Sequence, residues 1–189
     1  MGLPPLPPNA RYLPHPNECY DIGTVGWVLD TQFTQDQLEQ FEYFIWLNPS
    51  VRGPFMPAYL RGSMHWTEPL LSKLRGPVKL VGPTISCERL GNFPNQHNVH
   101  VQSYVVATDQ DGLAVLRRTG TVFRCWKEMA DVVLHGEVGA SQAILAAGWS
   151  IDSLMLRYQV RQQDQDKHAY SFAICPCAFN AIRLAWFLK

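Results

Sequence analysis

The chain has 189 residues, 47% of them apolar and 12% aromatic, with 16 basic and 16 acidic side chains. That length and apolar content suit one globular domain with a sizeable core and exclude a disordered polymer. The balanced charge leaves no bulk field to draw nucleic acid or an anionic surface, so only a local basic patch would do so.

No segment reaches the roughly 18 consecutive apolar residues that a membrane-spanning helix needs. Residues 1–16 hold Pro4, Pro5, Pro7, Pro8, Pro14 and Pro16, an extended leader that cannot support a helix and lacks the basic start and apolar core of a signal peptide. From this chain alone a cytoplasmic location is expected, with the Golgi lumen as the alternative if an upstream anchor precedes it. The cysteines, Cys19, Cys87, Cys125, Cys175 and Cys177, are odd in number and lack zinc-type spacing. Cys175-Pro-Cys177 has no second pair to complete a site, so free thiols are expected.

After the leader, Ile22, Val25, Val28 and Leu29 predict a short amphipathic helix from Asp21, and Thr34-Gln-Asp-Gln37 before Leu38 is a capping box opening another helical turn. Tyr43 to Leu47 reads as an apolar strand. Pro49, Gly53, Pro54 and Pro57 hold residues 48–64 in a loop, and Thr67 with Pro69 starts a helix to about Leu74. Val78 to Val81 is a second strand, Gly91 to Asn98 a loop, and Val99 to Ala107 a third strand. Leu113 to Arg117, Lys127 to Leu134 and Val138 to Ala147 read as helices, the last stopped by Gly148. A final strand is expected from Leu154 to Gln159, followed by an atypical tail over 159–189. Strands alternating with helices predict an α/β fold with a short mixed sheet flanked by helices.

Four polar clusters interrupt this pattern: Asn17 to Gly23, Asn48 to Pro54, His100 to Ser103, and Gly136 to Gln142. The second stands just beyond a strand, where open α/β sheets place their ligands. Asp109-Gln-Asp111 imitates an Asp-x-Asp metal signature, but its place before a helix reads as an N-cap and turn. Asp21 has a plain alternative as a cap on the helix from Ile22, Glu137 as a first-turn acid favoured by the helix dipole, and Asn48 and Ser50 as loop-satisfying side chains.

In order, the clusters read Asn17-Glu-Cys-Tyr-Asp21-Ile-Gly23, Asn48-Pro49-Ser50-Val-Arg52-Gly53-Pro54, His100-Val-Gln102-Ser103-Tyr104 and Glu137-Val-Gly139-Ala-Ser141. Over about residues 17–158 the chain resembles glycosyltransferases of the rhamnan-synthesis protein F-like type and their algal, fungal and plant relatives. Those proteins show Asn-x-Gly-Arg-Asp-x-Gly, Asn-Asp-Ser-Val-x-Gly-Pro, His-x-Gln-Ser-Tyr and Glu-Val-Gly-x-Ser in the same order. The resemblance implies a GT-A-like (Rossmann-like) domain that transfers a sugar from a nucleotide-sugar donor to a glycan or other hydroxyl acceptor. The leader stands where such folds carry their first nucleotide-binding strand, so a sheet without that strand is expected.

By the same resemblance Asn17, Asp21, Asn48, Ser50, Arg52 and Gly53 would serve the donor. Glu137 would be the general base on the acceptor, and His100, Gln102, Ser103 and Trp66 the pocket wall. Tyr20 replaces the family's arginine, and Pro49 replaces the aspartate that would hold manganese or magnesium. Strong metal dependence is therefore not expected, and Arg52 is the candidate for the diphosphate charge. Two alternatives stay open: a truncated, non-catalytic relative, and a carbohydrate-binding module.

Overall fold

The computed structural model describes residues 3–87 and 98–155. Residues 3–19 carry no helix or strand, as the prolines dictate. Helix α1 (Tyr20–Thr31) follows, then α2 (Gln35–Leu38), where Thr34 and Gln37 exchange both bonds of the capping box. Strand β1 (Tyr43–Leu47) has the predicted bounds. The loop after it holds a single 3₁₀ turn, Ala58–Leu60, and leads through α3 (Glu68–Leu71) to β2 (Val78–Gly82).

Strands β3 (Ile85–Ser86) and β4 (His100–Val101) pair with each other as a small antiparallel ribbon. Strand β5 (Val105–Asp109) runs into α4 (Gln110–Arg118). A long helical run then comprises α5 (Met129–Asp131), a π-helical segment (Val132–Val138) and α6 (Gly139–Ala146). Strand β6 (Ser150–Ser153) completes the described chain.

The main sheet has the order β1-β5-β2-β6. β5 is antiparallel to β1 and β2, and β6 is parallel to β2. Strands β1, β2 and β6 therefore point one way and end at one edge. Period-two alternation divides the core between the two faces. Leu80, Val106 and Ile151 pack with Ile22, Leu116 and Ile144 under the long helices. Val81, Val105 and Ala107 pack with Leu70 and Leu74 of the α3 region. The protein is thus a mixed α/β fold with a small mixed sheet flanked by helices.

Four sequence expectations change. The third strand does not run from Val99 to Ala107: Gln102 to Tyr104 form a turn, and the two halves join different sheets. The two helices drawn either side of His135 are one run, because the π-helical segment bridges them. Gly136 packs there against Ile22, where a Cβ would come within 3.1 Å of Cδ1. A strand not expected from the sequence, β6, begins at Ser150 and ends before Leu154, with Trp149 and Ser150 following the turn at Gly148 (φ 82°). Residues 156–159, the tail, most of the Gly91–Asn98 loop, Cys175 and Cys177 lie outside the described residues.

The fourth correction concerns the thiols. Cys19 and Cys125 form a disulfide, and Cys87 is disulfide-bonded as well. The Cys19–Cys125 bridge lies where α1 presses on the 123–125 segment. A Cβ on Gly26 would collide with the Phe123 carbonyl, and one on Gly23 would sit 2.9 Å from Cys19 Cβ and 3.1 Å from the Arg124 carbonyl. Cys19 and Tyr20 both adopt positive φ, 68° and 52°, which costs non-glycine residues on the order of 1 kcal/mol or more each. Closing a loop with a sequence separation of 106 restricts the unfolded chain enough to contribute roughly 4–5 kcal/mol in the chain-entropy account. Cys19→Ser/Cys125→Ser is expected to lower the melting temperature by roughly 10 °C, read by calorimetry. Adding a dithiol reductant to that variant should move it less than it moves the native protein.

A second cross-link sets the start of α4. The buried Lys79 places Nζ 2.6 Å from Asp109 Oδ2 and 2.8 Å from Asp111 Oδ2, with the Trp149 ring 5.0 Å away. The other oxygen of Asp109 accepts the Gly112 N–H, the predicted N-cap. Burial pulls the Lys79 ammonium down, but hydrogen bonds and charge from the two aspartates outweigh it, so its pKa is raised above the ordinary lysine value. Asp111 is 64% exposed and contributes little. Lys79→Met strands the Asp109 carboxylate and is expected to cost about 2–3 kcal/mol in urea unfolding. A raised lysine pKa stabilises fully below the unfolded value and is lost as pH rises through the folded one. The wild-type advantage should therefore stay flat from about pH 6 to 9 and shrink only in stronger alkali.

Candidate functional site

At the carboxyl end of β1 the chain enters the second cluster through Asn48. Its backbone N–H donates to the Tyr104 carbonyl at 2.9 Å, extending the β1–β5 pairing by one residue past Leu47. Its side-chain Nδ2 donates to Asp21 Oδ2 at 2.9 Å. Its Oδ1 accepts from the backbone N–H of Ser50 at 2.8 Å and from the Ser50 hydroxyl at 2.6 Å. Asp21 is not the N-cap of α1: Cys19 holds that position and offers no side-chain bond. Its carboxylate is turned to Asn48 instead.

The third and fourth clusters meet in the same way. Glu137 Oε1 accepts the Ser103 N–H at 2.8 Å and lies 4.0 Å from His100 Nε2. The fully buried Ser141 hydroxyl accepts the Val101 N–H at 2.9 Å. The ring of His100 is buried, with Nδ1 donating to the Asn98 carbonyl, which fixes the tautomer and directs Nε2 toward Glu137. Glu137 sits well inside the run from Met129 to Ala146, not in a first helical turn. The helix dipole therefore does not account for a carboxylate there, and π-helical segments recur at functional sites. Among the described residues its second oxygen has no hydrogen-bond partner.

Asp21, Asn48, Ser103 and Glu137 line a cleft of 860 Å³ between the leader, α1, β1 and the π-helical segment, together with Asn17 and Pro49, whereas Ser50, His100 and Ser141 are not in its lining. Its floor is apolar, with Val25, Val28, Phe44, Trp46 and Leu113. The indole N–H of Trp46 is buried without a partner among the described residues, a donor left to a ligand or to water. The cleft carries three carboxylates, Glu18, Asp21 and Glu137, and no lysine or arginine.

Other predicted site residues lie elsewhere. Arg52 and Gly53 are exposed on the loop beyond the cleft wall. Trp66 packs beside Leu70 and Leu74 on the opposite face of the sheet. Gln102 turns away to Thr84, whose hydroxyl donates to its Oε1 at 2.6 Å and lies 2.7 Å from the Tyr104 hydroxyl. Tyr20 and Thr24 of the lining were missed, although their positions flanking Asp21 on α1 are the signal that could have found them.

As to a divalent cation, the second cluster offers one carboxylate, Asp21, and the neutral groups of Asn48 and Ser50, already bonded to one another, and no group of three or more His, Cys, Asp or Glu side chains is gathered to hold a metal ion among the described residues. Such a donor set does not make a cation site by itself. No family model matches the chain, and neither the curated proteins nor the solved structures contain a match.

The bond between Asp21 and Asn48 ties α1 to the end of β1. Asn48→Ala is expected to cost about 1–2 kcal/mol in urea unfolding. A double-mutant cycle with Asp21→Ala should return a coupling of at least about 0.5 kcal/mol.

Proposed function

We propose that the protein is a glycosyltransferase of GT-A-like fold, moving a sugar from a nucleotide donor to a glycan or similar hydroxyl acceptor. One observation supports this reading above the rest. Residues of all four clusters that carry the resemblance, Asp21 bonded to Asn48 and Ser103 bonded to Glu137, line one cleft along β1 whose polar part lies at the strand's carboxyl end. That is where α/β sheets hold nucleotides.

In this reading Asn17, Asp21, Asn48 and Ser50 hold the donor's polar groups. The acceptor hydroxyl gives its proton to the free oxygen of Glu137 as its oxygen bonds to the anomeric carbon, and the bond from that carbon to the diphosphate breaks, with the electron pair leaving on the diphosphate. Ser103 N–H positions the Glu137 carboxylate. Arg52, three residues beyond Pro49 of the cleft wall, supplies positive charge to the leaving diphosphate. The disulfides favour an oxidising compartment over the cytoplasm.

The acidic lining favours a second reading. A cleft with three carboxylates, one histidine (His15) and no lysine or arginine suits a neutral polyhydroxylated ligand better than a diphosphate, as in a carbohydrate-binding module or a non-catalytic relative.

The two separate in a thermal-shift panel of nucleotide sugars and neutral oligosaccharides, with and without manganese. A donor at about 100 times its dissociation constant should stabilise the native state by roughly 2.7 kcal/mol. Glu137→Gln should keep that shift while losing at least about 100-fold in transfer rate. Stabilisation by neutral glycans alone, indifferent to Glu137→Gln, would overturn the transferase reading.

A further inference from the structure

Between Glu42 and Glu68 the chain contains no acidic residue. The loop inside that interval leaves the cleft at Pro49 and returns to the fold near Trp66. At its tips Phe55 is 87% and Tyr59 81% exposed, with Leu47 and Met64 also open to solvent. Arg52 and Arg61 are exposed beside them and make no ion pair among the described residues. The whole chain is balanced at 16 basic and 16 acidic side chains, so a loop with two arginines and no acid is a local excess of positive charge, here combined with unburied aromatic surface.

Single exposed apolar side chains are ordinary, but an aromatic pair at the crest of an acid-free, arginine-bearing loop is not. A folded protein partner would meet little regular backbone here: Pro49, Gly53, Pro54, Pro57 and Gly62 break the segment, and its only helix is the Ala58–Leu60 turn. A lipid surface demands no complementary shape. It favours aromatic rings at the depth of the headgroups and attracts arginines to anionic ones.

We infer that the 49–64 loop is a membrane-surface contact, with Phe55 and Tyr59 entering the interface of an anionic bilayer and Arg52 and Arg61 engaging its phosphates. Because the loop begins at the cleft wall, docking through it would bring the mouth of the cleft near the lipid surface. The inference does not depend on the chemistry of the cleft.

Co-sedimentation with vesicles tests it, using phosphatidylcholine alone and phosphatidylcholine with phosphatidylglycerol. The protein is expected to pellet with the anionic vesicles and not with the neutral ones, and to be released by salt. Phe55→Ser/Tyr59→Ser and Arg52→Glu/Arg61→Glu should each lower the bound-to-free ratio at least about tenfold with an unchanged melting temperature. Absence of pelleting, or pelleting that both variants retain, would overturn the inference. So would self-association in sedimentation velocity that Phe55→Ser/Tyr59→Ser abolishes without any effect of vesicles, which would make the surface a contact between copies of the chain. The donor thermal shift is measured without lipid, so failure here leaves the transferase reading untouched, and the reverse holds.

Discussion

The arrangement of the cleft depends on the side chain and backbone of Asn48. The backbone N–H closes the β1–β5 ladder on the Tyr104 carbonyl, the amide nitrogen takes the carboxylate of Asp21 on α1, and the amide oxygen collects both donors of Ser50. An asparagine can do this because one planar amide offers donors and acceptors on opposite sides. Aspartate there would set two carboxylates against each other, and leucine would leave Asp21 without this partner. Through this residue the end of the sheet, the start of the first helix and the loop beyond the strand share one geometry, which the nearby Cys19–Cys125 bridge reinforces on the other flank of α1.

Glu137 is held from the opposite side of the cleft by different means. Its segment departs from α-helical winding over Val132–Val138, and Gly136 lets that segment close on Ile22. One carboxylate oxygen is fixed by the Ser103 N–H, with the His100 ring behind it. Among the described residues the carboxylate is thus restrained on one oxygen and unbonded on the other. The same bond also serves packing, since it closes the turn between β4 and β5.

Much of this was legible locally. The bounds of β1, the Thr34 capping box and the Asp109 cap follow from short-range patterns that no distant contact reverses. The departures come from contacts far along the chain. Nothing in the spacing of five cysteines shows that Cys19 meets Cys125, because the close approach is set by Gly23 and Gly26 on α1. The break at Gln102 to Tyr104 carries neither glycine nor proline. It exists because Thr84 draws Gln102 aside while Val105 joins the main sheet. Gly136, between two helices as read from the sequence, is a point of close packing against Ile22 within one run. The polar clusters were legible as types, whereas their mutual contacts were not, and Trp66 shows the cost: a tryptophan beside a polar loop is more often core.

Charge is the sharpest constraint on what the cleft can hold. Glu18, Asp21 and Glu137 face it without a lysine or arginine among the lining residues. Low polarity in the floor strengthens rather than screens their repulsion of an anion. A diphosphate can enter only with its charge compensated, and Arg52, exposed on the 48–64 loop three residues beyond Pro49, is the candidate to compensate it. The same loop would then connect both readings of the surface. Arg52 can turn to a phosphate held in the cleft or to one in a bilayer headgroup, and a guanidinium committed to one is withdrawn from the other. If both contacts exist, membrane docking and donor affinity must be coupled through Arg52, and by linkage each would weaken the other to the same degree.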